Sequence, residues 1–394
     1  MSNRGHVIYL CHAVDELLKN ERAITTDSAA AANKVFGVCL AMRKANLSCT
    51  MLSCGRGRQN GSGSWHSQQL KRYKGVASMY ASFYQFPLLT HLVTMLSLVL
   101  LLFTLLKKHP GANVLVYNRS YHYLPAILLA RLMNSSLFLD LEDGYINDSN
   151  GGLKSIKNSI TRKLFDFLCP SGALLAASSL QIQVKSAHIL VCYGVASTLH
   201  DPNQDWASPK LRILFGGTLL EEVGSQLFLD ALVIASAKHL DLSQYLEVIV
   251  TGKGPWEDAF TEFTRKNPSL MTFAKDLSAI KYTEVLRSCH VGLSLRLSKF
   301  EMGATTFPSK VIEYASNGLL LLSTRVGDVP RLLGDEAVFL EHETSEALAE
   351  QLLRMIDLRQ SLQITALKGR ARVLEQCSHY VVGNALSNFF RKRY

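Results

Sequence analysis

The stretch FPSKVIEYASNGLLLLST (307–324) carries the chain's most suggestive set of side chains. Pro308 and Ser309 predict a helix start, where free backbone N–H groups and the helix dipole favour an anion. Lys310 falls in the first turn, a poor place for a cation unless something negative faces it, and a phosphate there resolves the conflict. Glu313, three residues on and on the same face, can accept hydrogen bonds from sugar or ribose hydroxyls, or simply complement the dipole. Arg296 closes the strand-like VGLSLR just upstream and offers a second cation to the same anion.

Two glycine turns follow strand-like runs. In RILFGGT, Gly216 and Gly217 allow backbone to approach a ligand and Thr218 can donate a hydrogen bond; in VIVTGKG, Gly252 and Lys253 repeat the arrangement. Neither spacing is that of the ATPase phosphate loop or the dinucleotide fingerprint. In the first half, Glu142 and Asp143 end the run LFLDLED, and His122 follows another strand in NRSYHYLP. An acceptor-binding role and a structural one are both open for the two carboxylates. His122 is open to an acceptor contact, a donor-phosphate contact or a structural role.

These residues need elements to position them. Apolar runs alternate with helical periodicities along the whole chain, which predicts parallel sheets covered on both faces. Strands are expected at 6–11, 48–53, 113–117, 137–141, 173–177 and 189–192, with helices over 28–44 and 124–133. The polar segment HDPNQDWASPK (200–210) reads as a linker. A second series follows, with strands at 212–215, 246–251, 271–273, 291–295 and 319–323, and helices near 222–238, 255–266, 281–289, 309–317 and 344–357. The fold class expected is α/β: two doubly wound Rossmann-like domains facing each other across a cleft, over 1–203 and 204–376, with a C-terminal helix (377–394) returning to the first. Ligands of such sheets lie beyond the carboxyl ends of the strands, where the glycine turns fall. The Gly/Ser/Arg-rich stretch GRGRQNGSGS (55–64) is expected to be a mobile loop.

The 394 residues, 48% hydrophobic and 19% charged, exclude a disordered or collagen-like chain. The net charge of +10 is uneven: residues 1–200 hold 20 Lys and Arg against nine Asp and Glu, while the remainder is close to neutral. A basic half suits nucleic acid or an anionic membrane. No zinc-finger spacing, ribonucleoprotein motif or groove-binding basic helix is present, so no nucleic-acid partner is expected. The eight cysteines show no C-x-x-C pair, which points to a reducing compartment and no structural metal. The N-terminal apolar run is too short for a secretory signal, so a cytoplasmic location is expected. The run Leu88–Leu106, followed by Lys107 and Lys108, is long enough to span a bilayer. It reads as a helix buried in an α/β domain, one with its outer face in a membrane interface, or a spanning helix. The last would separate two stretches that look like parts of one sheet. Basic residues on both sides allow peripheral contact with an anionic membrane through residues 56–108.

The segments FGGT (215–218), VTGKGPWED (250–258), YTEVLRSCHVGLSLR (282–296) and FPSKVIEYASNG resemble the family 4 glycosyltransferases of the GT-B fold, most closely over 211–357 and more loosely over 1–200. The resemblance implies a sugar moved, with retention and without a metal or other cofactor, from a nucleotide-diphosphate donor on the C-terminal domain to a glycan or lipid-linked acceptor on the N-terminal one. Many such enzymes build polysaccharides at the cytoplasmic membrane face. It also implies donor-site roles for Gly216, Gly217, Thr218, Gly252, Lys253 and Ser309 and catalytic roles for Lys310, Glu313 and Arg296; with the acceptor on the N-terminal domain, His122, Glu142 and Asp143 are the residues expected to contact it. The chain departs from the family in having Thr305 where the first of two paired glutamates stands, and Thr218 and Val223 where the first donor loop has Arg and Lys. A non-catalytic glycan-binding or partner subunit and a nucleotide-sugar epimerase are the other readings that the scaffold admits.

Overall fold

The computed structural model describes the chain except residues 1–4, 27, 60–62, 87–88, 145–152, 198–201, 203, 276, 301–304 and 392–394. The chain divides into two compact units, Met1–Val195 with Ser378–Tyr394, and Ala196–Cys377.

The first unit holds an eight-stranded sheet in the order Ile189–Val191, Gly172–Leu175, Leu137–Leu141, Asn113–Tyr117, Val7–Cys11, Cys49–Ser53, Val76–Tyr80, Gln69–Tyr73. All neighbours are parallel except the last pair. The strands VIYLC, CTMLS, NVLVY and LFLDL are buried at every position, as a sheet covered by helices on both faces requires. From Val7–Cys11 the chain proceeds first to one side, through Cys49–Ser53, and later to the other, through Asn113–Tyr117. That reversal leaves a crevice beyond the carboxyl ends of Cys11 and Tyr117.

The second unit repeats the plan with six strands, all parallel, in the order Met271–Ala274, Leu246–Lys253, Leu211–Thr218, Val291–Ser294, Leu320–Ser323, Val338–Phe339. Its reversal lies between Leu211–Thr218 and Val291–Ser294, so its crevice opens beyond Thr218 and Ser294.

The expected strands and helices all form, with three instructive differences. The hairpin Gln69–Tyr73/Val76–Tyr80 is absent from the expectation because its turn is Lys74-Gly75, both at positive φ, instead of the usual Asn-Gly. The strands ending in the glycine turns run past Phe215 and Thr251, and the ladder continues to Thr218 and Lys253. The segment read as a linker is fastened to the second unit. Trp206 is buried there, and His290 accepts the Arg212 N–H at Nδ1 (2.8 Å) and donates from Nε2 to the Asp205 carbonyl (2.9 Å). Within the Gly/Ser/Arg-rich stretch, Arg58–Gln59 pairs with Ile24–Thr26, and residues 60–62 lie outside the described residues.

The long apolar helix is Leu89–Lys108, and its inner face, including Leu98 and Leu102, is buried in the first unit. Strand Val7–Cys11 pairs with a strand before this helix and with one after it, which excludes the spanning placement. The final helix, His379–Arg391, packs on the helix Ala29–Lys44, and its Phe389 and Phe390 join the first unit's core against Phe138. A Cβ on Gly383 would stand 2.1 Å from the Ala41 carbonyl oxygen.

Gly383→Ala therefore sets helix propensity, worth about 1 kcal/mol in favour of Ala, against a backbone clash that must push two helices apart, costing about 1–3 kcal/mol. The clash is expected to win. Denaturant unfolding of the variant should show a lower midpoint, and an unchanged or higher midpoint would refute this close packing.

Candidate functional site

In the second unit, the crevice is floored by two strands whose glycines lie against each other. Gly217 pairs with Gly252, and a Cβ on Gly252, at φ +127°, would fall 1.8 Å from the Gly217 carbonyl oxygen, so no larger residue fits. Thr218 and Lys253 are register partners at the exposed end of this ladder. Beside it begins the helix Ser309–Ser316. Its cap residue, Pro308, has no side-chain acceptor to offer, and Ser309 is exposed in the first turn.

Lys310 extends from that turn toward the glycine ladder: a Cβ on Gly217 would lie 3.7 Å from Lys310 Cε. Its ammonium donates to Glu313 Oε2 at 2.5 Å and to the Tyr282 hydroxyl at 2.8 Å. The Tyr282 hydroxyl in turn donates to Glu313 at 3.0 Å. Burial raises the Tyr282 and Tyr314 hydroxyl pKa values, with Glu313 nearby adding to both, so both phenols stay protonated. Lys310 also lies over the rings of Tyr282 and Tyr314, at 4.9 and 5.6 Å from their centroids. Arg296 is held near the entry to the same helix by Thr306 Oγ1, which accepts from its guanidinium at 3.0 Å. Thr305 is buried.

Lys310, Glu313, Gly216 and Gly217 thus come together, Gly252 and Lys253 join them through the ladder, and Arg296 is tied to the segment that leads into the helix. Tyr282 and Tyr314 were not singled out in the sequence. Tyr282 lies 28 residues from Lys310, and no local pattern announces that contact.

In the first unit, the crevice beyond Cys11 and Tyr117 is a cavity of about 360 Å³, lined by His12, Asn118, Ser120 and Asp143 among others. Asn118, at φ +52°, folds the loop after its strand: its side-chain oxygen accepts the Glu142 N–H (2.8 Å), and its amide donates to Asp143 (3.2 Å). Asp143 thus stands at the cavity, while Glu142 turns to Lys34. That lysine, on the helix Ala29–Lys44, also pairs with buried Asp140 at 2.8 Å, and Tyr9 donates to the other Asp140 oxygen.

His122 meets a cationic neighbourhood. Arg56 Nη2 is 2.6 Å from His122 Nε2 and 3.1 Å from His91 Nδ1, and the two imidazoles approach to 2.7 Å. Arginine can only donate, so His122 Nε2 is the acceptor and its Nδ1 carries the proton toward Ser120 Oγ at 3.0 Å. Burial, then the Arg56 charge, lowers the His122 pKa to about 4. His91 and His12 are lowered as well, chiefly by burial. Among the described residues, no three His, Cys, Asp or Glu side chains gather as metal ligands.

The fold as a whole is shared with solved structures of known proteins. The chain covers 98% of its own length and 99% of HepE from Anabaena, solved in complex with UDP, at 11% identity and a TM-score of 0.68. It matches sucrose-phosphate synthase from Thermosynechococcus elongatus over 98% of each chain, at 11% identity and a TM-score of 0.68. It matches an α,α-trehalose-phosphate synthase (UDP-forming) from Burkholderia vietnamiensis over 99% of this chain and 100% of that one, at 10% identity and a TM-score of 0.64. The fold is of the GT-B type. Within this GT-B chain, residues 210–357 also match the sequence family described as "Glycosyl transferases group 1", and these residues hold the glycine ladder, Tyr282, Arg296, Lys310 and Glu313. No curated protein sequence matches the chain.

The depressed His122 pKa has a consequence for stability. The unfolded imidazole, with a pKa near 6.5, binds a proton that the folded one refuses until about pH 4. Stability from this group is therefore complete above pH 6.5 and is lost as pH falls from there to about 4. Urea unfolding of His122→Gln at pH 7 and in steps down to about 4 should show a shallower loss of stability than the parent; His6, likewise lowered to about 4, stays in both. Equal acid slopes in the two proteins would show that His122 is not held neutral.

Proposed function

We propose that this protein is a glycosyltransferase that takes a sugar from a nucleotide-diphosphate donor held by the second unit and transfers it, with retention, to a glycan or lipid-linked acceptor at the first. The observation that carries the reading is the convergence of Lys310, an N-terminal helix turn without a side-chain cap and a glycine ladder beyond the sheet's reversal point. It is supported by the family match over the same residues and by the names of the structural relatives.

In this mechanism the donor's pyrophosphate replaces Glu313 as the partner of Lys310, and the released Glu313 turns to hydroxyls of the sugar or ribose. The bond from the sugar's anomeric carbon to the phosphate oxygen breaks as the bond to the acceptor oxygen forms on the same face. The acceptor's proton passes to the departing phosphate. Lys310, Arg296 and the Ser309 turn stabilise the charge that grows on the leaving group, and this reading makes no protein side chain the nucleophile or base. His12, His122 and Asp143 surround the acceptor's place, and the Arg56–His91–His122 cluster suits an acceptor that bears a negative group.

A second reading is favoured by one observation. Buried Thr305 stands where the resembling family has a glutamate, which suits a subunit that binds a nucleotide sugar without turning it over.

Thermal unfolding with nucleoside diphosphates and nucleotide sugars tests the donor site. A ligand at 100 times its Kd should add about 2.7 kcal/mol of stability, and Lys310→Ala should remove most of the shift and lower kcat by about 10²–10³. Nucleoside diphosphate released only in the presence of acceptor supports transfer, and binding without release supports the subunit. An undiminished shift in Lys310→Ala would take Lys310 out of the phosphate site.

A further inference from the structure

The first unit presents an apolar outer surface built from three helices that pack side by side, Leu89–Lys108, Leu124–Leu132 and Leu153–Leu168. On the first, Leu92, Leu96, Leu100 and Phe103 recur at helical spacing and are exposed, Leu100 by 66%. On the third, Ile156, Ile160, Leu164 and Phe167 form a second exposed row, with Ile160 61% exposed and Phe167 65% exposed, while Phe165 and Leu168 face inward and are buried. Leu128 and Leu132 of the middle helix lie between, and Arg131 joins it to the third helix by donating to the Phe167 carbonyl at 2.6 Å. A soluble surface seldom exposes contiguous aliphatic rows of this extent.

The charge on these helices is of one sign. Their sequences contain Lys107, Lys108, Arg131, Lys154, Lys157, Arg162 and Lys163 against a single acid, Asp166, which is buried beside Arg119. Lys107 lies over the Phe103 ring at 4.5 Å and Arg131 over Phe167 at 4.4 Å, so cations flank the apolar rows. The inner face of Leu89–Lys108 is fixed to the unit's core, so this helix can lie along a membrane but not cross it.

We infer that this three-helix face docks the first unit on the surface of a lipid bilayer rich in anionic headgroups. The aliphatic rows enter the boundary between headgroups and acyl chains, and the flanking lysines and arginines meet the headgroup charge. The inference goes beyond the transferase reading and does not depend on it.

The test is sedimentation of the full-length protein with phosphatidylcholine vesicles, with and without phosphatidylglycerol. Sedimentation with the anionic vesicles is expected, weakened by added salt. The variants Leu96→Glu/Leu100→Glu and Ile160→Glu/Leu164→Glu change only exposed positions and should keep the parent's unfolding midpoint. Each should lower partitioning about tenfold or more. If a pair disturbs folding, Lys107→Ala/Lys108→Ala, which leaves the apolar rows intact, should lower partitioning onto the anionic vesicles alone. The inference is overturned if the parent protein fails to sediment with anionic vesicles, or if folded variants sediment as it does. It is also overturned if the parent is a dimer that the substitutions split with no effect on vesicle binding, since the face would then join copies of the chain.

Discussion

A cation in the first turn of a helix opposes the helix dipole, and Lys310 occupies such a position. Glu313, one turn on, balances it, and the Tyr282 hydroxyl bridges the two. Both charges are about a quarter exposed, with a side-chain accessibility of 28% each, so the pair is neither sealed in the core nor free in solvent. An ion pair of this kind contributes little net stability. Its importance lies in what it leaves ready, a cation aimed past the glycine ladder and a carboxylate held within reach of the same space. The glycine contact, where Gly252 meets the Gly217 carbonyl, keeps that space clear of side chains.

The first unit meets a related electrostatic problem differently. Arg56 faces two imidazoles, and the imidazoles give way by remaining neutral, which burial and the arginine charge both favour. Deeper in the unit, Lys34 draws in Asp140 and Glu142. The two carboxylates of the run LEDG therefore part company, since Glu142 pairs with Lys34 and Asp143 remains at the cavity. The helix that brings His91 to this cluster also carries the outward apolar row, so one element serves the crevice at its start and the surface along its length.

Much of this was legible in the sequence because parallel strands buried on both faces read as continuous apolar runs, and such runs mark their own positions within a residue or two. The carboxyl ends of those runs then marked where both crevices open, with Gly216, Gly217 and Gly252 at one and Asp143 at the other. The Lys74-Gly75 hairpin was not legible, since its turn lacks the usual residue pair. Nor was the attachment of the segment around Trp206, because a polar stretch with one aromatic does not reveal that the aromatic is buried. The outward row on Leu153–Leu168 was not legible either: amphipathic spacing shows that a helix has an apolar side, not whether that side faces in.

By itself the sequence determined the two α/β series, the alternation of strand and helix, and the chemistry available in each loop, for all of these follow from local periodicity and residue type. Only the tertiary structure decided which side chains meet. The Lys310–Tyr282 contact, the Arg56–His91–His122 cluster and the pairing of Lys34 with Asp140 each join residues far apart in the chain. Such contacts are set by sheet order and by the packing of helices across it, and a linear pattern of apolar and polar residues does not encode them.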